Sequence, residues 1–140
     1  MDLLLAHAYH LYDDPVEASI MRPYAPLGLL YNAAYLKRAG LNVTVFDATF
    51  RRPEEFEALL RLERPPVVGI YVNMLTKRPA LKMIAAARAE GSLVVLGGPE
   101  PPAHAADFLE AGADVIVVGE GELTLAALIP HLREKGTVGL

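Results

Sequence analysis

At 140 residues, 53% hydrophobic and 21% charged, the chain has the length of one domain and enough apolar material for a core, which excludes a disordered segment. A net charge of −4 provides no basic stripe for phosphates and argues against nucleic acid as the main partner. The lack of cysteine excludes disulfides, thiolate zinc sites and any iron–sulfur cluster held by this chain alone.

The chain opens on "MDLLLAH", too short for a membrane span and without the basic region or cleavage site of a signal peptide, so a cytoplasmic location is expected. Its apolar run, Leu3–Ala8, reads as a first strand. Asp14-Pro15-Val16-Glu17 reads as a capping box that starts a short extra helix. Pro26 fits a first helical position, Leu27–Arg38 is helical in pattern, and Gly40 sits just past its end. After a second run, Val43–Phe46, Pro53 opens "PEEFEALLRLER". There Phe56, Leu59 and Leu60 share one face, and the early glutamates suit the positive end of the helix dipole.

The third run is Val67–Val72, followed by a helix from Pro79 to Gly91. The fourth is Leu93–Leu96, followed by "PAHAADFLEAG", predicted as a helix that turns Phe108 and Leu109 inward and ends at Gly112. The fifth is Val115–Val118. A last helix starts near Glu122, where Pro130 is expected to kink or split it.

The last four runs are rich in valine and isoleucine without polar alternation, the pattern of parallel strands buried on both faces. Alternating strands and helices predict an α/β three-layer sandwich with an open, five-stranded parallel sheet of Rossmann-like, flavodoxin-like order and right-handed crossovers. The alternative, a barrel of eight strand–helix units, needs roughly 200 residues or more. Residues 1–140 are therefore read as one domain.

Open parallel sheets bind ligands beyond the carboxyl ends of their strands. Here those ends are His7–Tyr12, Asp47–Phe50, Asn73–Thr76, Gly97–Pro102 and Gly119–Glu122. Two of them, "LGGPE" and "VGEGE", replace β-branched bulk by glycine, as expected where something approaches the backbone. A dinucleotide is disfavoured: no glycine follows the first strand, and Gly119-Glu120-Gly121 puts an acid where an anion would bind. A phosphoreceiver fails too, because Asn73 and Glu120 stand where it needs aspartate and lysine. The only serines, Ser19 and Ser92, lie in no nucleophile elbow.

"PYAPLGLLYNAAYLKRAGLNVTVFDATF", "VVGIYVNMLTKRPAL" and "VVLGGPEPPAHAADFLEAGADVIVVGEGELTLAAL" together resemble the amino-terminal cobalamin-binding domain of cobalamin-dependent radical S-adenosylmethionine (radical SAM) enzymes. The likeness is particular to the group containing the anaerobic magnesium-protoporphyrin monomethyl ester cyclase, and it covers nearly the whole chain in order. It implies a corrin lying across the carboxyl rim with its nucleotide tail descending into the domain. Gly97, Gly98, Pro99 and Glu100 would then border a slot where a flat benzimidazole slides against bare backbone. Gly119 and Gly121 would leave room beside it, and Glu120 and Glu122 would accept hydrogen bonds from corrin amides or cap the last helix. Asn73, Met74, Leu75 and Thr76 would lie under the lower corrin face, with Met74 or Leu75 beneath cobalt and Asn73 and Thr76 bonding amide or phosphate groups. Pro26, Leu27 and Gly28 would bring the first long helix against the cofactor.

The Asp-x-His-x-x-Gly motif of cobalamin mutases is missing. His7 and His10 lie in that region without the Asp and Gly at the required spacing, so His10 is set aside as a cobalt ligand and the binding mode implied is base-off without histidine. His104 and His131 are placed in helices away from the rim. No catalytic or metal-ligating residue is assigned. The resemblance puts S-adenosylmethionine and a 4Fe-4S cluster in a separate catalytic domain, in cis or in trans, with "REKGTVGL" where a linker to it would begin. Cobalt would then serve methyl transfer or radical and redox chemistry. Exposed corrin predicts weak dimerisation through the rim. Two alternatives are a cofactor-free regulatory or protein-interaction module and a Mg²⁺ site on Glu100, Glu120 and Glu122.

Overall fold

The computed structural model describes residues 1–13 and 15–140, and of Glu17 the backbone alone. In chain order the elements are β1 (Leu3–His7), α1 (Pro15–Ile20), α2 (Leu27–Arg38), β2 (Val43–Asp47), α3 (Pro53–Glu63), β3 (Val67–Tyr71) and α4 (Lys77–Ala89). There follow β4 (Leu93–Gly97), α5 (Glu100–Ala103), α6 (Ala105–Glu110), β5 (Val115–Ile116) and α7 (Glu122–Lys135). The sheet order is β2-β1-β3-β4-β5 with every pairing parallel, the flavodoxin-like arrangement expected. The connection order reverses between β1 and β3, so their carboxyl ends define the switch point.

Each strand feeds both layers because successive side chains point to opposite faces. Leu4, Ala6, Val68, Ile70, Val94 and Leu96 pack on one face with Phe56 and Leu60 of α3, Met83 and Ile84 of α4, and Phe108 of α6. On the other face, Leu3, Leu5, Val43, Val67 and Val95 meet Leu29, Ala33 and Leu36 of α2 and Leu125, Ile129 and Leu132 of α7. Both glycine motifs leave the sheet on the side of β4 and β5, and the α2–α7 layer covers the face beneath them.

Several local expectations are corrected. Pro26 precedes α2 as its N-cap residue and is not its first helical residue. The helix placed at Pro79 begins at Lys77, because a 3₁₀ turn over Met74–Thr76 runs directly into it. Pro79 still lies in the first turn, where a missing N–H leaves no intrahelical bond unmade. The single helix expected before Gly112 is broken at His104, which therefore sits at a junction. Phe108 is fully buried, whereas Leu109 is 47% exposed; adjacent helical residues lie about 100° apart, and a single stripe cannot bury both. The fifth strand is only Val115–Ile116, and Val118 is exposed at the sheet edge. Asp114 compensates for so short a strand: its carboxylate accepts from Val94 N at 2.7 Å and pairs with Arg88 at 3.0 Å. Pro130 lies inside α7 without splitting it. The expected capping box includes Asp14, outside the described residues, although α1 does begin at Pro15.

Candidate functional site: a slot beside the switch point

Between the carboxyl half of the sheet and the α2–α7 layer lies a cavity of about 300 Å³. Leu5, Gly69, Val95 and Val117 form its floor, Gly28 and Asn32 of α2 stand on one side, and Leu125 of α7 on another. Tyr71, Gly97 and Gly98 and the segment Gly119–Glu122 surround its mouth. Beside Gly97 it exists because an inward position carries no side chain, whereas the room left at Gly69 is filled by Leu5, whose Cδ2 would stand 2.7 Å from a Cβ there. Gly69 and Gly97 lie on the same face of the sheet as Val67 and Val95, the face that packs on α2 and α7. A Cβ built on Gly97 meets nothing within 4 Å, so the space beside it is open.

The adjacent glycine has a different job. Gly98 has φ +103°, and a Cβ there would collide with the Val72 carbonyl oxygen. The chain turns tightly over the end of β3 at this point, with Val72 N donating to Gly97 O at 2.8 Å and Glu100 N reaching Val72 O at 3.4 Å. Gly98 is thus required by the turn itself, a correction to reading both glycines as relief for a ligand. Gly119 likewise takes a positive φ of +82°. Gly121 leaves room for the Asn32 amide, whose Oδ1 lies 2.7 Å from where a Cβ would stand.

Of the residues singled out in the sequence, Gly28, Gly97, Gly98, Gly119, Glu120, Gly121 and Glu122 come together around this cavity. Pro26, Leu27, Pro99 and the Asn73–Thr76 loop do not line it. Leu27, Met74 and Leu75 are exposed by 62%, 78% and 66%, apolar surface that packing within the chain does not use. Thr76 is fully buried, and its hydroxyl accepts from Asn73 N at 3.0 Å. Asn73 Oδ1 accepts from Leu75 N and Thr76 N, and its Nδ2 donates to Tyr24 at 3.0 Å. The polar groups of this loop are therefore engaged in shaping it.

Glu100 faces elsewhere, pairing with Lys77 at 3.5 Å and with His104 at 3.3 Å. No group of three potential metal ligands exists among the described residues, so Glu100, Glu120 and Glu122 do not converge as the alternative of a shared Mg²⁺ would require. His10 Nδ1 donates to the Arg51 carbonyl at 3.0 Å, and His10 borders a separate groove of about 760 Å³ between α3 and α4.

Sequence reasoning missed Gly69 and Asn32. Both left a signal: a glycine in mid-strand marks close approach. Asn32 falls at i+3 in the inward series Leu29, Ala33, Leu36, a polar residue in an apolar stripe.

It also missed an aromatic box at the switch point. His7, at the end of β1, is fully buried with ring centroids of Tyr24, Tyr71 and Tyr9 at 5.7, 5.9 and 6.1 Å. Neither ring nitrogen has a hydrogen-bond partner among the described residues. Burial lowers its pKa below the ordinary 6.5, opposed by the Asp47 carboxylate 3.7 Å from Nδ1 and assisted by His10. The unfolded chain consequently binds a proton near pH 6.5 that the folded chain refuses. Stability is fully present above that pH and is lost as pH falls from it toward the native pKa. The expected result is a melting temperature that declines between pH 7.5 and 5.5, with the slope reduced in His7→Phe; an unchanged slope in that variant would locate the titration elsewhere.

The fold and cavity define an open α/β domain with a slot that opens at the carboxyl rim of its parallel sheet. The profile of the B12 binding domain family matches residues 15–129, and the chain belongs to that family. It is similar to hopanoid C-3 methylase of Methylococcus capsulatus, 30% identical over 119 residues, covering 81% of this chain and 23% of that protein. It is also similar to an uncharacterized methyltransferase of Synechocystis sp., 30% identical over 115 residues, covering 82% of this chain and 20% of that protein. The chain thus spans about a fifth of the length of the curated relatives it matches. Among the described residues no helix is long and apolar enough to cross a membrane.

The cavity fits a cobalamin tail and not its ring. Its volume lies at the lower end of the ~300–1,000 Å³ usual for ligand pockets, room for a two-ring aromatic between bare backbone and apolar side chains. The macrocycle would have to remain outside, over the exposed rim.

Proposed function

We propose that this domain holds cobalamin base-off and without a histidine ligand, for use by a radical SAM catalytic domain supplied in cis or in trans. The observation that supports this most is the open space beside Gly97, continuous with a floor made of Gly69, Leu5 and Val95. When bound, cobalamin supplies a cobalt centre able to carry a methyl group or electrons. The chain's own part is positioning. Gly97 and Gly28 admit the benzimidazole, and Leu5, Val95, Val117 and Leu125 remove it from water, worth about 2–4 kcal/mol at ~25 cal/mol per Å² of apolar area buried. Glu120 and Glu122 at the mouth accept from corrin amides, and Met74 and Leu75 pack beneath the lower face.

Both nearby histidines are poorly placed for ligation. His7 is enclosed by tyrosine rings, and His10 is tied to the Arg51 carbonyl. The methyltransferase names of the two relatives favour methyl transfer as the reaction served. Purified protein incubated with hydroxocobalamin should retain the corrinoid on ultrafiltration and give a base-off visible spectrum. Corrinoid passing freely through the filter would contradict the proposal.

A further inference from the structure

His7 has the makings of an axial metal ligand that the proposed binding mode leaves unused. Its imidazole is fully buried, and burial favours the neutral form, whose ring nitrogen can donate a lone pair. Neither Nδ1 nor Nε2 has a hydrogen-bond partner among the described residues, a costly state for buried polar atoms. Nδ1 lies 3.7 Å from Asp47 Oδ1. That oxygen is itself held, accepting from the Thr49 amide at 3.0 Å and the Thr49 hydroxyl at 2.6 Å. A ligating imidazole gives one nitrogen to the metal and turns the other toward such a carboxylate. With Asp47 beside Nδ1, the nitrogen left over is Nε2.

What covers His7 on the solvent side is Tyr24. Of the three tyrosine rings around the imidazole, Tyr71 is the register partner of His7 on β3, and Tyr9 follows closely in the chain after β1. Tyr24 comes from the segment between α1 and α2, set edge-on to His7 at 5.7 Å and beside Tyr9 at 5.5 Å. It is 43% exposed against 7% for Tyr9. Its hydroxyl accepts from Asn73 Nδ2 at 3.0 Å, so one side chain bridges the carboxyl ends of β1 and β3 at the switch point. Asn73 opens the loop proposed to lie under the corrin, which puts the Tyr24 ring between His7 and that lower face. We propose that Tyr24 is a screen that keeps the His7 imidazole off cobalt, with His7 and Asp47 as a latent ligand pair behind it. This inference rests on the function proposed above and adds the residue that enforces histidine-free coordination.

The test is electron paramagnetic resonance of cob(II)alamin bound to wild type and to Tyr24→Ala, since an axial nitrogen splits the cobalt lines. Tyr24 lies in a connecting segment and belongs to neither apolar core, so its truncation leaves the fold in place. Wild type should show no nitrogen splitting, whereas Tyr24→Ala should retain the corrinoid and gain it. The splitting pattern should change when the variant's histidines carry the heavy nitrogen isotope, which separates a protein imidazole from the cofactor's own benzimidazole. It should vanish in Tyr24→Ala/His7→Phe and persist in Tyr24→Ala/His10→Gln. Four results overturn the screen while leaving cobalamin binding standing: Tyr24→Ala without splitting, splitting that the isotope leaves unaltered, splitting that depends on His10 and not on His7, and loss of corrinoid retention by Tyr24→Ala. Nitrogen splitting in the wild type overturns the screen and the proposed base-off, histidine-free mode together. A wild type that retains no corrinoid overturns the proposed function as a whole.

Discussion

Gly97→Val is expected to weaken hydroxocobalamin binding by roughly 30- to 1,000-fold, the ~2–4 kcal/mol that burial of the aromatic tail contributes, while leaving the ligand-free fold as stable as before. The effect is steric. Gly97 closes β4 on the face toward α2 and α7, its φ is not in the left-handed region, and a Cβ there meets nothing within 4 Å. Valine is well suited to a strand, so the backbone loses nothing. Its methyl groups would occupy the space proposed for the base. Parallel thermal melts and spectral titrations separate the two effects. A variant that binds as tightly as wild type would mean that nothing passes Gly97.

Gly98→Ala is expected to do the opposite, lowering stability by about 2–6 kcal/mol before any ligand is considered, since an unfavourable backbone region and a steric overlap each cost ~1–3 kcal/mol. With φ +103° and the Val72 carbonyl in the path of any Cβ, alanine must shift the turn that carries the chain from β4 to α5. Thermal denaturation should show a melting temperature lower by about 10 °C or more. A melting temperature equal to wild type would show that the turn relaxes freely, and that Gly98, like Gly97, is free to serve a ligand. The pair of neighbouring substitutions thus separates a glycine that makes room from a glycine that makes a turn.

That distinction marks the boundary of what could be read from the sequence. The strand runs, their parallel order and the rim on which both glycine motifs fall follow from periodicity and from the switch-point rule, and the sheet order agrees with them. Composition at Gly97-Gly98 cannot say which α-carbon faces space and which faces a carbonyl, because that depends on the end of β3, some 25 residues earlier in the chain. The Glu100 side chain was legible as an acid near the rim, but its turn toward Lys77 and His104 depends on how α5 starts. Helix details failed where two rules competed: Phe108 and Leu109 are both apolar, and only one could lie on the buried stripe. Asn32 and Gly69 were visible as breaks in an apolar pattern. Their meaning emerges only when α2 and β3 are laid face to face across the slot.

The proposed mode of binding also ties the rim together physically. If the base enters the slot it cannot simultaneously cover cobalt, so the lower face of the macrocycle is left to the exposed Met74 and Leu75. Neither side chain is a strong donor, and His7 and His10 are held away by burial and by the Arg51 carbonyl. Bound cofactor should in turn raise stability as its concentration exceeds its dissociation constant, because only the folded chain has the slot.

The most direct measurement is a crystal structure of the domain with cobalamin. The expected density has the lower base between Gly97 and α2, over Gly69 and Leu5, and the corrin outside the slot across the rim. A base folded back on cobalt, or a slot closed by the protein's own side chains, would contradict the account.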